Sequence, residues 1–274
     1  GVALRSRALP RPLGENIRVY EEQLTGWGAT LWRSAGGAAE PIAADGSADL
    51  ILRGDALWLA GPSTRFLLGT ADAGVSTAGV RLAPGSAAAL LGIRPDEVRD
   101  ALLDPKDVLA PAQASELGRW RDWLAAARDT PRLADALPAA PPIAPGRGGE
   151  LALARELRWA ATVRRAAAQA LPVAGAAAAL GRSERQFRRD MTARFGYGYA
   201  ALTMIVRAQA ALRLIDAGHP LAEAAARAGY ADQPHLSRDF ARLVGRRPRA
   251  LAGYASGRAA NRSIELPSGS STVA

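Results

Sequence analysis

The chain of 274 residues contains no cysteine. Disulfides, thiolate metal sites and cysteine nucleophiles are therefore excluded together. Histidine is nearly as scarce. His219 and His235 are the only two, both in the second half, so the first half has no imidazole cluster to hold the metal of a β-barrel oxygenase. No GxxxxGK[ST] loop is present to cradle a nucleotide phosphate. No cofactor or metal is expected. No run approaches the roughly 18 to 20 apolar residues of a membrane span. The opening stretch, GVALRSRALPRPLGENIRVYEE, lacks the apolar core of a signal peptide. A cytoplasmic protein that avoids the membrane is the expectation.

Lysine is missing too, apart from Lys106; every other basic residue is arginine. A GC-rich genome explains that choice of residue, but it does not explain where the charge lies. Residues 1–149 carry 16 basic against 17 acidic side chains, whereas residues 150–274 carry 19 against 9. The whole basic excess is C-terminal, which points to a polyanion partner for that half. Arginine's planar fork suits phosphate and guanine edges.

With 49% hydrophobic and 22% charged residues the chain has a globular composition, and its length suits two domains. PAAPPIAPGRGG, residues 138–149, is rich in proline and glycine and reads as the linker between a domain over 1–137 and another over 150–254. In the first, the apolar runs WGATLW, DLIL, ALWLA, RFLL and VSTAGVRL recur between turn residues. They predict a small β-meander or half-barrel, followed by helices after Pro84. Leu117, Trp120, Trp123, Leu124 and Ala127 form one apolar face of a helix over about 112–129, suited to core packing or to a dimer contact. Asp45 and Asp49 read as turn-capping aspartates, with an acid–base pair as the alternative.

Beyond the linker the pattern is helical throughout, which makes the fold class α+β: a β-rich N-terminal domain with helices, then an all-α C-terminal domain. One helix spans about 150–170, and a second opens at Pro172 and ends at Gly181. Ser183 with Gln186 forms a capping box that starts a third, whose apolar stripe is Phe187, Met191 and Phe195. A long helix over about 199–216 follows. The short-helix, glycine, capped-helix pattern then returns: Gly229 repeats Gly181, Asp232 takes the place of Ser183, and Leu236, Phe240 and Val244 match the earlier stripe at a constant offset of 49. This is a duplicated helix-turn-helix.

In that motif the second helix enters the major groove of DNA and its N-terminal residues touch base edges. The outward face of the first copy carries Arg185, Arg188, Arg189 and Thr192, and that of the second carries His235, Arg238 and Arg242, with Gln233 at the helix start. Arginine reads guanine and glutamine reads adenine. The competing reading is a solvated face, with Asp190 or Asp239 pairing the arginines within a turn. His219, in a loop before Pro220, reads as incidental. Ser183, Thr192, Arg242, Arg246 and Arg247 are the expected phosphate contacts. The connecting helix of about 18 residues spans roughly 27 Å, near the separation of successive major-groove faces, so one chain is expected to read two grooves of an asymmetric site.

GYADQPHLSRDFARLVGRRP resembles the signature of the AraC/XylS family of bacterial transcription regulators, and LGRSERQFRRDMTARFG resembles that family's first copy; the resemblance covers about 150–254. It departs at 197–199, where the family usually has a Ser/Thr-Pro pair, which leaves the start of the connecting helix open. The resemblance implies that Arg185, Arg188, Arg189, Gln233, His235 and Arg238 face DNA, and that double-stranded promoter DNA and RNA polymerase are partners. Through DGSADLI, LAGP and APGSAAALLGI, the N-terminal half is similar to a sensory or dimerising domain often joined to this one. A small-molecule effector and a homodimer are the further partners implied. The alternative is a constitutive or architectural DNA-binding protein whose N-terminal domain only self-associates; an enzyme tethered to DNA lacks catalytic residues. The tail over 255–274 is read as mobile and is assigned no role.

Overall fold

The computed structural model describes residues 20–35, 41–69, 75–138, 140–141 and 149–248. Most of the expected linker and all of the expected tail lie outside them.

Alternation of apolar and polar residues builds the N-terminal sheet. Its strands are β1 (Tyr20–Leu24), β2 (Thr30–Ser34), β4 (Ala48–Arg53), β5 (Ala56–Ala60), β7 (Thr77–Leu82) and β8 (Leu102–Leu103), while β3 (Pro41–Ile42) and β6 (Leu67–Leu68) pair separately. The antiparallel order is β1-β2-β7-β4-β5-β8, so β7 inserts between β2 and β4 rather than following its neighbour in the chain. Every second residue points into one core. Leu31, Leu50, Leu52, Leu59, Val80 and Leu82 are buried there beneath the short helix α1 (Ala87–Leu91) and the amphipathic α3 (Leu117–Asp129), which follows the single turn α2 (Pro111–Ala114). Trp120 is fully buried, edge-on to Trp27 at 6.3 Å and 5.7 Å from Trp123, whose indole N–H donates to the Ala136 carbonyl. The tryptophan stripe is core packing. It is not offered to a partner.

The other face of the sheet holds a buried charge cluster. Asp49 and Arg81 are cross-strand neighbours, with Nε of Arg81 3.6 Å from Oδ1 of Asp49 and 3.0 Å from Oδ2 of Asp45. Trp32 donates its indole N–H to Asp49 at 2.8 Å, and its ring lies across β7 where a side chain at Gly79 would collide with it. Asp45 caps the turn as expected, accepting from the Ser47 N–H at 2.8 Å and the Ser63 hydroxyl at 3.2 Å. Two carboxylates share one guanidinium. Burial opposes the charge on Arg81, but Asp49 and Asp45 outweigh it and hold the cation firmly. Burial also dominates at Asp49 and, with Asp45 beside it, lifts that carboxyl to about 6 against the pull of Arg81 and the Trp32 hydrogen bond.

The C-terminal region is a helical assembly: α4 (Gly149–Ala168), α5 (Val173–Ala178), α6 (Glu184–Phe195), α7 (Tyr199–Asp216), α8 (Leu221–Arg227) and α9 (Gln233–Leu243). The connecting helix α7 is its axis. Leu202, Ile205, Val206, Ala211 and Ile215 are buried along it, with Phe187, Met191 and Phe195 of α6 and Leu236, Phe240 and Leu243 of α9 in the same core. Gly198 is extended and caps its start, so α7 begins at Tyr199 without the Ser/Thr-Pro pair. Among the described residues no helix is long and apolar enough to cross a membrane.

The Asp49 carboxyl yields a sign for acid stability. Its folded pKa is raised, so the native state binds the proton more tightly than the unfolded chain does; the contribution is fully present below about pH 4 and is lost as pH rises through about 6. In denaturant melts the stability of Asp49→Asn relative to the natural chain is expected to rise by ~2–3 kcal/mol between pH 4 and pH 7. Parallel curves from pH 4 to pH 7 would rule the assignment out.

Candidate nucleic-acid interface

Each reading helix starts where a side chain satisfies its first backbone donors. At α6 the Ser183 hydroxyl accepts from the Gln186 N–H and Gln186 Oε1 accepts from the Ser183 N–H, both at 3.3 Å, closing the expected capping box. At α9 the Asp232 carboxylate accepts from the His235 N–H at 2.6 Å, and Pro234 occupies the first turn, where no backbone donor is needed. The glycine before each cap, Gly181 at φ 62° and Gly229 at φ 79°, adopts the left-handed backbone that turns the chain from one helix to the next. The apolar stripes face α7. The opposite faces therefore remain for solvent.

On α6, Arg185, Arg188, Arg189 and Thr192 are all exposed. On α9, Arg238 and Arg242 are exposed and Gln233 is half-buried; beyond the helix, Arg247 is exposed and Arg246 half-buried. Asp190 and Asp239 do not neutralise these arginines. Asp190 pairs with Arg182 at 3.4 Å and Arg194 at 3.3 Å, and Asp239 pairs with Arg207 of α7 at 2.9 Å. Arg188 lies 3.0 Å from Glu184 in an exposed pair one turn apart, an interaction worth only a few tenths of a kcal/mol. Among the described residues no carboxylate pairs with Arg185, Arg189, Arg238, Arg242 or Arg247. Both faces thus carry uncompensated guanidinium groups.

His235 is half-buried, with one edge of its ring turned inward and the rest left to solvent. Its ring is edge-on to Tyr230 at 5.1 Å and its Nε2 lies 3.2 Å from Nη2 of Arg207, leaving the side chain 32% exposed. The reason is its position beside Leu236, at the border of the buried stripe. His219 pairs with Glu223 at 3.0 Å at the start of α8.

Sequence reasoning missed how the N-terminal half meets these helices. The last carbonyls of a helix have no partner within it. At α9 the Arg242 carbonyl accepts from the Phe66 N–H at 3.0 Å and the Leu243 carbonyl from the Ala44 N–H at 2.7 Å. At α6 the Gly196 carbonyl accepts from Arg99 at 3.0 Å, and Phe195 packs so close to Gly85 that a side chain there would overlap its ring. Arg164 of α4 donates to the Pro84 carbonyl, and Leu153 and Leu157 of the same helix pack on the N-terminal core. The Tyr197 hydroxyl, buried and held protonated by that burial and by nearby Asp45, donates to the Gly46 carbonyl at 3.0 Å. The backbone groups involved are chemically generic, so no residue type announces them.

Removing the Tyr197 hydroxyl leaves the Gly46 carbonyl buried without its donor. Tyr197→Phe is expected to cost about 1–3 kcal/mol and to loosen the two halves, seen by calorimetry as a single transition separating into two. An unchanged endotherm would show that this contact does not join them.

Residues 176–253 match the family model described as a helix-turn-helix domain. No curated protein matches the chain. Among solved structures, an apo variant of ToxT from Vibrio cholerae is similar at 13% identity and TM-score 0.43, over 84% of this chain and 99% of that one. A second ToxT structure from Vibrio cholerae is similar at 10% identity and TM-score 0.41, over 84% and 98%. Residues 176–253 therefore constitute a helix-turn-helix domain.

Proposed function

We propose that this chain is a cytoplasmic, sequence-specific transcription regulator. In this reading α6 and α9 enter two successive major grooves of promoter DNA, on the way to an encounter with RNA polymerase. The observation that carries it is the pair of capped helices, alike in stripe and cap, whose outward arginines, Arg188 with its exposed Glu184 pair excepted, have no carboxylate partner among the described residues. Arg185, Arg188, Arg189, Gln233, His235 and Arg238 meet base edges. Ser183, Thr192, Arg242, Arg246 and Arg247 meet phosphates. The domain limits 1–137 and 150–254 belong to the same proposal, each half having a core of its own.

Control by the N-terminal half, through a small molecule or self-association, is supported by the hydrogen bonds from residues 44, 66 and 99 to the ends of the two reading helices. A domain tied to both heads changes their separation whenever it changes shape. A constitutive or architectural role has no comparable use for such ties.

Selection of duplexes from a random pool, followed by binding assays across altered sites and salt concentrations, tests the reading. Arg188→Ala or Arg238→Ala is expected to weaken the selected site by roughly 1–3 kcal/mol and to relax choice at one position. Arg247→Ala is expected to weaken all sequences alike and to reduce the salt slope by about one. Identical behaviour of the two classes would overturn the division into base and phosphate contacts.

A further inference from the structure

The polar contact inside the second motif fixes what His235 can say to DNA. Arg207 comes from the middle of α7, and its Nη2 lies 2.9 Å from Oδ2 of Asp239, 3.2 Å from Nε2 of His235, with its carbon 4.4 Å over the Tyr230 ring. A guanidinium only donates and does not lose its proton in proteins. At 3.2 Å, Nε2 of His235 is therefore the acceptor and carries no hydrogen. Protonating it would set two donors against each other. The nearest carboxylate oxygen, Oδ2 of Asp239, is 3.9 Å from Nε2, beyond hydrogen-bond reach, and is already engaged by Arg207. The groups facing this nitrogen are thus Arg207 from α7, the Tyr230 ring from the turn and Asp239 from α9. The proton of the neutral ring must sit on Nδ1, for which no acceptor is found among the described residues.

We propose that Arg207 is a positioning residue that locks His235 into the tautomer protonated at Nδ1, so that the ring presents one outward donor and reads the N7 acceptor of a purine. This rests on the proposed DNA-reading function and names one contact within it. Three features cooperate. His235 is the third residue of α9, in the turn that meets base edges. Its backbone N–H is tied to Asp232, which fixes where the side chain begins. Its ring plane is fixed between Tyr230 and Arg207. A tautomer chosen by the second nitrogen's partner is the general way a histidine's role is set. In the major groove a lone donor can give its hydrogen bond to the N7 of either purine, to guanine O6 or to thymine O4, and it meets no acceptor on cytosine, which offers a donor there. The second copy is therefore less selective at this position than at the one met by Arg238.

The test uses the full chain labelled with nitrogen-15 histidine. Only two rings contribute, and His219→Gln assigns them. At neutral pH the long-range proton–nitrogen spectrum is expected to show His235 protonated at Nδ1 alone; a ring protonated at Nε2, or at both nitrogens, would refute the lock. Duplexes selected by the natural chain are then scanned with single 7-deazapurine replacements. One position is expected to lose about three- to tenfold in affinity, and that sensitivity alone is expected to vanish in His235→Phe and in Arg207→Met, while N7-sensitive positions read by arginines persist. A scan identical in the natural chain and His235→Phe would end the assignment. If Arg207→Met does not fold, the natural spectrum and the His235→Phe scan decide without it. If no duplex is selected at all, the DNA-reading function fails, and the tautomer is still judged by the spectrum.

Discussion

A helix ends with carbonyl groups that its own backbone leaves without partners, and α9 ends on backbone N–H groups from the N-terminal half. The Phe66 and Ala44 amides close the carbonyls of Arg242 and Leu243. Ala44 is buried in the C-terminal core and Ala43 packs against it, although both lie between β3 and β4 of the N-terminal half. Gly245, at φ 72°, turns the chain so tightly that a side chain there would strike Phe66 and Pro41. Separating the halves would exchange each of these hydrogen bonds for one to water, a net loss of about 0.5–1.5 kcal/mol apiece. The seam is a constraint on α9.

The same loop connects that helix to the charge cluster on the sheet. Ala44 is adjacent to Asp45, and Gly46 accepts from Tyr197, so residues 44–46 carry an amide to α9, a carboxylate to Arg81 and a carbonyl to the chain between α6 and α7. Asp49 competes with Asp45 for the one guanidinium. A change of charge at that face alters how Asp45 is held, and Asp45 is one residue from both contacts with the C-terminal half. Coupling here is a matter of covalent adjacency, with no long pathway required.

The C-terminal fold was legible because every determinant of a helix pair is local. Caps at Ser183 and Asp232, turn glycines and apolar stripes at 3.6-residue spacing all lie within a dozen residues of what they specify. In the N-terminal half the longer strands were legible from apolar runs, but β1, β3 and β8 were not. β1 reads as a charged edge, and the other two are two residues long. The insertion of β7 between β2 and β4 depends on partners tens of residues apart, which periodicity does not encode. The reading faces of α6 and α9 were legible from the opposite side of each stripe. The inward contact of His235 was not legible, because its partner Arg207 lies 28 residues away on another helix.

Arginine content alone does not separate these roles. Arg81, Arg164, Arg194 and Arg207 are largely withdrawn from water and engage carboxylates, carbonyls or rings, and they hold the two cores and the seam in register. Arg185, Arg189, Arg238, Arg242 and Arg247 resemble them in the sequence but stand in solvent without a carboxylate among the described residues. Burying a guanidinium requires an immediate partner, so the structural arginines have consumed the acids near them. Asp190 and Asp239 are the clearest instances: each sits one turn or less from reading-face arginines, yet each turns inward to a structural one. The positive potential of the reading faces follows from that allocation. The basic excess of the C-terminal half is spread along its sequence, but the packing of α7 against α6 and α9 decides which part of it stays exposed and unpaired by a carboxylate among the described residues.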